Sequence, residues 1–225
     1  MKDIAVSIHQ PQYLPYLGYI HKMKLADVFV FLDDVQFKKN EWQNRNRVKG
    51  TNGQIIWLTI PVLHNFGQKI NEVVIKNSIP WQKQHRNTLK TYYSKAQHFH
   101  MIEKFNKLWS EQYEKLVDAN IDSVKILAEI FEVKSKFILS SSLRIEKTKT
   151  ERLVAICKEL GGKIYISGVG AREYLDESAF AREGIEIVWQ KFEHPVYPQL
   201  HGEFIPNLSA IDLVLNVGEK AKDMI

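Results

Sequence analysis

Short apolar runs rich in β-branched residues, at 4–8, 28–32 and 164–166 among others, limit what this chain can fold into. Runs this short, bounded by breakers, read as buried strands rather than helices. The first ends at His9-Gln10-Pro11-Gln12-Tyr13-Leu14-Pro15, where two prolines forbid a helix or a central strand. A short helix is predicted from about Tyr16 to Leu25, with Leu17, Ile20 and Met23 or Lys24 on one side. The run at 28–32 then supplies a second strand. Strand, helix and strand in so short a space make a βαβ unit, whose strands are parallel and whose crossover is right-handed.

Segments 47–51 and 54–60 flank Asn52-Gly53, a strong hairpin signal. From Ser78 to about Val133 the pattern turns helical. Ser78 is placed to cap a helix with Pro80 in its first turn, and Ile102, Phe105, Leu108, Trp109, Tyr113 and Leu116 recur at helical spacing. A further helix is predicted over 121–131, capped by Asn120 or Asp122. The last third returns to alternation, with strands at 137–139, 164–166 and 185–189 and helices at 150–160 and about 171–180. A closing helix starts near Asn207 or Ser209. No internal repeat or low-complexity linker interrupts this order. The expected fold is α/β, a mostly parallel Rossmann-like sheet with a β-hairpin and a helical insert at about 80–133, in one domain spanning 1–225.

The chain has 44% hydrophobic and 25% charged residues, which excludes disorder. No apolar run approaches the ~18–20 residues that span a bilayer. The chain enters its first strand without a signal-peptide core. The one cysteine, Cys157, falls in an apolar helical pattern and reads as a buried thiol. Together these predict a cytoplasmic protein in a reducing compartment. A net charge of +5 suits a phosphate-bearing ligand or a weak nucleic-acid contact without choosing between them.

In open parallel sheets, ligands bind outside the carboxyl ends of the strands, and the least ordinary polar residues fall there. His9 leaves the first strand on a loop stiffened by prolines, as a general base, a ligand donor or a cap for its own loop. Gln10 and Gln12 offer neutral hydrogen bonds, and Tyr13 either stacks on a ring or fills the core. Asp33, with Asp34 beside it, either orients His9 and binds a ligand hydroxyl or amine, or caps a turn. Gln43, Asn44, Arg45, Asn46 and Arg47 are dense in planar hydrogen-bonding groups, and guanidinium forks match phosphate or carboxylate. The other reading is a solvated loop.

Ser167, Gly168 and Gly170 lie between a strand and a predicted helix, where backbone N–H groups gather, and Arg172 adds charge. Neither GxGxxG nor GxxxxGK[ST] is complete, so no dinucleotide or Walker-type site follows and no cofactor is assigned. A second loop, 194–202, gathers His194, Tyr197 and His201, with Asn207 beyond it, into a further ligand wall. Its spacing matches no zinc motif, and no metal is assigned. Convergence of these loops on one sheet edge is the structural expectation. His9, Asp33 and His201 are the catalytic candidates, and the others bind substrate.

Several stretches jointly carry a resemblance. His9-Gln10-Pro11-Gln12-Tyr13-Leu14-Pro15-Tyr16-Leu17-Gly18-Tyr19, Asp34-Val35-Gln36-Phe37, Trp42-Gln43-Asn44-Arg45-Asn46-Arg47 and Tyr165-Ile166-Ser167-Gly168 are similar to motifs of the WbqC-like proteins. So are Tyr197-Pro198-Gln199 and Phe204-Ile205-Pro206-Asn207-Leu208-Ser209. That family takes its name from bacterial surface-polysaccharide (O-antigen) gene clusters, beside makers of modified nucleotide sugars. The resemblance implies an enzyme of sugar or specialised metabolism, read as a transferase of an acyl or aminoacyl group to the amine of a nucleotide-linked amino sugar. Its donor would be an acyl carrier or an aminoacyl-tRNA. In that scheme His9 is the base and Asp33 orients it, Arg45 and Arg47 hold the pyrophosphate, and the 167–170 turn or Asn207 faces an oxyanion. A looser likeness, to nucleotidylyltransferases of the HUP class, rests on the histidine loop and Ile166-Ser167-Gly168…Arg172, but Pro11 and Gln12 stand where HxGH would need otherwise. The third reading is a non-catalytic module binding a phosphate-bearing ligand or tRNA.

Overall fold

The computed structural model describes residues 2–225. Along the chain run β1 (Ile4–His9), α1 (Leu17–Leu25), β2 (Val28–Phe31), β3 (Arg45–Lys49), β4 (Ile55–Thr59), β5 (Val62–Leu63) and β6 (Val74–Ile75). Helices α2 (Trp81–Tyr93), α3 (Asn106–Ser110) and α4 (Leu116–Ile130) follow. The chain closes with β7 (Lys136–Leu139), α5 (Lys149–Glu159), β8 (Gly162–Ser167), α6 (Glu177–Arg182), β9 (Glu186–Trp189) and α7 (Ala210–Val217). Contacts divide it into two units. One holds the chain up to Gln10, His21–Asp34 and Val133–Glu193; the other holds Pro11–Ile20, Val35–Glu132 and His194–Ile225.

In the first unit five strands form an all-parallel sheet in the order β7-β2-β1-β8-β9, so the fold is α/β with the parallel centre the apolar runs predict. The period of two decides which residues face which layer. Val6, Ile8 and Tyr165 join Val154, Ile156, Cys157, Phe180 and Ile185 in one apolar cluster, while Ala5, Ala26 and Ile166 form another. Ser7 is buried too, and its hydroxyl donates to the Ile166 carbonyl at 3.0 Å. At Gly162 an added Cβ would come within 2.6 Å of Val6 Cγ2 and 3.1 Å of the Cys157 carbonyl, so only glycine lets α5 turn this closely into β8. Cys157 is fully buried, and burial pushes its thiol up to about 12, which makes it unreactive.

In the second unit β3 and β4 form the antiparallel hairpin that Asn52-Gly53 announces, and both turn residues adopt positive φ, 58° and 72°. The helices differ more from expectation. Pro80, not Ser78, stands at the start of α2, which buries Trp81, His85, Leu89 and Tyr93 at four-residue spacing. The apolar series from Ile102 to Leu116 is interrupted by a 3-10 stretch at Phe99–Phe105 and by the short α3. Helix α4 starts at Leu116, one turn before the expected cap, and Asn120 lies inside it with no exposure. The closing helix α7 is capped by Ser209, whose hydroxyl accepts from the Ile211 N–H.

Candidate functional site

The strand order turns about β1: β2 and β7 lie on one side of it, β8 and β9 on the other. The edge between the carboxyl ends of β1 and β8 is therefore the topological switch point, where open α/β sheets bind ligands. His9 ends β1 there with Gln10 just beyond it, and Ser167 ends β8 with Gly168 just beyond it. Gln190, just after β9, donates its backbone N–H to the Ser167 carbonyl at 2.7 Å, and its side-chain amide lies 2.9 Å from His21 Nδ1. Ser167 and Gln190 are both buried.

His9 Nδ1 lies 3.1 Å from the Gln10 carbonyl. A donor at Nδ1 leaves the lone pair on Nε2. Burial, and after it the charge of Lys22, hold this imidazole down to about 3, neutral throughout the ordinary pH range. So weak a base hydrogen-bonds more readily than it takes a proton. Lys22, on α1, is only 5% exposed. Among the described residues its amine makes no hydrogen bond or ion pair, and burial lowers it to about 7.

The carboxylates after β2 serve a different end. Asp33, 2% exposed, accepts from Ser140 Oγ at 3.1 Å, Ser141 N–H at 3.0 Å and Ser141 Oγ at 2.7 Å. Asp34 accepts from Ser140 Oγ at 2.5 Å and pairs with Arg152. They clamp the turn after β7, which is the capping role. The Ser167–Arg172 segment also departs from expectation. It is a single 3-10 turn at Val169–Ala171, and α6 begins only at Glu177, so no helix N-terminus opens onto Gly168 or Gly170. The helix predicted from about 171 is shortened because Asp176, accepting from the Ser178 N–H, caps it later. The exposed Arg172 lies 4.9 Å over the Trp189 ring.

The remaining candidates belong to the second unit. There the amides predicted to meet a ligand hold the chain itself. Asn46 Nδ2 donates to the Tyr13 and Leu14 carbonyls at 3.2 and 2.9 Å, and Asn120 Nδ2 to those of Pro11 and Gln43 at 3.3 and 2.7 Å. Gln43 Oε1 accepts from the Lys38 N–H, and Asn44 bridges Asn40 and Ile60. The Tyr13 hydroxyl lies 2.9 Å from His85 Nδ1, in the core. Leu14 takes a positive φ of 42°, a conformation that needs such support. Gln12 Oε1 is buried without a partner in this loop.

Around α7 a second polar core forms. Asp212, with no exposure, accepts from Tyr93 and Tyr197 hydroxyls at 2.6 and 2.7 Å and from Gln199 Nε2 at 2.9 Å. Burial raises its carboxyl despite those donors. Lys49, 1% exposed, donates to Gln199 Oε1 at 3.3 Å, to the Gly202 carbonyl at 3.2 Å and to the Glu203 carbonyl. His201 Nε2 contacts the Tyr92 carbonyl at 2.6 Å, and His194 stacks on Tyr197. Arg47 Nε donates to the Asn207 carbonyl at 3.2 Å. On the hairpin, Arg45 lies 4.1 Å over Trp57, the Trp57 and Trp42 rings are 5.8 Å apart, and Arg47 lies 5.6 Å from Trp42. Both indoles are exposed.

Among the described residues no group of three or more His, Cys, Asp or Glu is arranged to hold a metal ion. No helix is long and apolar enough to cross a membrane. Sequence reasoning passed over Lys22, His21 and Gln190. A lysine on a nine-residue helix carries no sign of burial, because α1 is buried on nearly every side and its periodicity is faint.

Residues 10–224 match the WbqC-like protein family. The chain is 34% identical over 230 residues to the uncharacterized protein Rv1507c of Mycobacterium tuberculosis, covering 100% of this chain and 98% of that one. No solved structure matches it. Identity along the full length of a relative, joined to a family match over nearly every residue, leaves no part of the fold outside the resemblance: this chain belongs to the WbqC-like protein family.

Proposed function

We propose that the chain is a transferase of bacterial sugar or specialised metabolism, passing an acyl or aminoacyl group to the amine of a nucleotide-linked amino sugar bound at the β1/β8 edge. The observation that carries this reading is the gathering of neutral polar groups at the switch point of the sheet: His9, Gln10, Ser167, Gly168 and Gln190. A set of imidazole, hydroxyl and amide groups suits a sugar, whose hydroxyls both donate and accept. His9 serves there as a neutral hydrogen-bond partner of the acceptor. The net charge of +5 favours phosphate-bearing ligands in general.

A second reading has an observation of its own. In the Arg45, Trp57, Trp42 and Arg47 ladder two guanidinium groups bracket a pair of indoles on a partly exposed hairpin face, which suits stacking on bases and pairing with phosphates. That favours an RNA contact, with tRNA as a donor or as the sole ligand. Thermal unfolding with nucleotide amino sugars, ATP and tRNA separates the readings. Stabilisation by nucleotide amino sugars, lost in Ser167→Leu, supports transfer at that edge. A shift with ATP alone points to nucleotidyl transfer, and one with tRNA alone, lost in Trp57→Ala, to a binding module.

A further inference from the structure

The helices of the second unit enclose a polar hollow that neither functional reading uses. Helix α2 buries Trp81, His85, Leu89 and Tyr93, and this spacing turns the exposed Lys83, Arg86 and Asn87 to another of its faces. Asn106, Trp109 and Ser110 repeat the same i, i+3, i+4 interval on α3. Together the two sets line a hollow of about 460 Å³, a volume in the range of small-molecule sites. Gln82 fastens the two helices to each other, donating from Nε2 to the Leu108 carbonyl at 3.1 Å and to the Glu111 carbonyl at 2.5 Å.

The charge of the hollow is unbalanced. No acid lines it, and α2 carries Lys83, Arg86 and Lys90 with no Asp or Glu from Trp81 to Tyr93. Among the described residues the Lys83 amine and the Asn87 side-chain amide make no hydrogen bond or ion pair. Arg86 lies 3.6 Å from the Glu103 carboxylate, with half or more of each side chain exposed. An ion pair so open to water is weak, and a competing anion can replace Glu103 there. Asn106 Nδ2 donates to the same carboxylate, and Ser110 Oγ donates to the Asn106 carbonyl at 3.0 Å, which leaves the hydroxyl oxygen free to accept. Trp109 Nε1 is buried without an acceptor, and such an orphaned donor calls for a water or a ligand. A smaller hollow of about 290 Å³ has no such bias, since Glu129, Glu132 and Glu219 stand there against Lys104 and Lys222.

We propose that the larger hollow is a binding site for a sugar phosphate. Lys83 and the Arg86 fork take the phosphate oxygens. The Asn87 and Asn106 amides and the Ser110 hydroxyl donate and accept, as the sugar hydroxyls do. The Trp109 indole supplies an apolar wall for the C–H face of the sugar ring, and its unpaired N–H is a further donor. The site lies wholly in the second unit, and it stands whether or not transfer takes place at the β1/β8 edge. Sugar phosphates occur free and within nucleotide sugars, and the groups gripped here are common to both.

NMR of the indole N–H signals reads the site, with the Trp109 signal identified by its absence in Trp109→Phe. Glucose-1-phosphate at millimolar concentration should move that signal in a saturable way. Lys83→Ala and Arg86→Ala put the best helix former at exposed helix positions, so the fold is kept. Each should weaken binding about tenfold, as one charge-assisted contact is lost. Lys125→Ala, at an exposed position on α4, should leave binding unchanged. An unmoved Trp109 signal, or one that moves equally in the Lys83→Ala/Arg86→Ala double variant, overturns the proposal. So does inorganic phosphate binding as tightly as glucose-1-phosphate, because the amides and the indole would then add nothing. UDP-glucose distinguishes the sources: tighter binding than glucose-1-phosphate supports a nucleotide sugar as the occupant, and weaker binding a free sugar phosphate. A Trp109 response that persists in Ser167→Leu supports the hollow as a site of its own, and its loss there overturns it.

Discussion

Lys22 and Lys49 are both withdrawn from solvent, 5% and 1% exposed, yet the chain treats them in opposite ways. Around Lys49 three oxygens converge, from Gln199, Gly202 and Glu203, and Asp212 adds an attractive charge. Around Lys22 there is no such partner among the described residues, and the neighbouring imidazole is neutral. Burial is common to both; satisfaction is what differs. A satisfied buried cation holds chain segments together, and its oxygens would be stranded without it. One without partners contributes no such support. The carboxylates divide differently: Asp33 and Asp212 each accept several hydrogen bonds, and both are structural groups.

The largest effect expected from this contrast is at Lys49. Lys49→Met should lose about 3–5 kcal/mol in urea unfolding, because it takes the shared charged donor from three part-buried oxygens. A loss below about 1 kcal/mol would erase the difference between the two lysines. Lys22→Met should move the other way, gaining about 1–4 kcal/mol at pH 7 in the same experiment, as an apolar side chain replaces an unpaired amine. A clear loss there would mean that Lys22 has a structural partner. Smaller still is Ser141→Ala, which removes the hydroxyl that donates to Asp33 at 2.7 Å and should cost about 1–3 kcal/mol. If it also removed nucleotide-sugar binding, Asp33 would belong to the ligand site after all.

The same distinction between packing and satisfaction explains what could be read from the sequence. The five strands of the sheet announce themselves, because a buried parallel strand is an unbroken apolar run and 28–32 or 164–166 can be little else. Asn52-Gly53 fixes the hairpin through backbone geometry alone, and Ser209 is visible as a helix cap. The helices of the second unit were less legible. At Asn120 a local capping preference lost to tertiary demand, since its side chain was needed to hold the Pro11 and Gln43 carbonyls from inside α4. The switch point of the sheet was foreseeable from strand ends, and His9, Gln10, Ser167 and Gly168 lie there. The roles of Gln43, Asn44 and Asn46 were not, because an amide that binds backbone and one that binds ligand look alike until the acceptor is known. Lys22 was hidden for the opposite reason, since nothing in a sequence marks a lysine that has been left without a partner.

The most direct test of the unpaired amine is the pH dependence of unfolding free energy, compared between the native chain and Lys22→Met. Unfolding returns Lys22 to water, where it keeps its proton up to a pH of about 10, whereas in the fold it releases the proton near 7. Between those values the unfolded state binds more protons, so stability should rise with pH across that window. Taking the difference between the two proteins cancels the titrating groups that do not feel the Lys22 charge, and His9, which does, is already neutral above pH 7. The account predicts that the native chain gains several kcal/mol relative to the variant from pH 7 to 10, at about 1.36 kcal/mol per pH unit. Parallel curves over that range would show Lys22 charged in the fold and would contradict it.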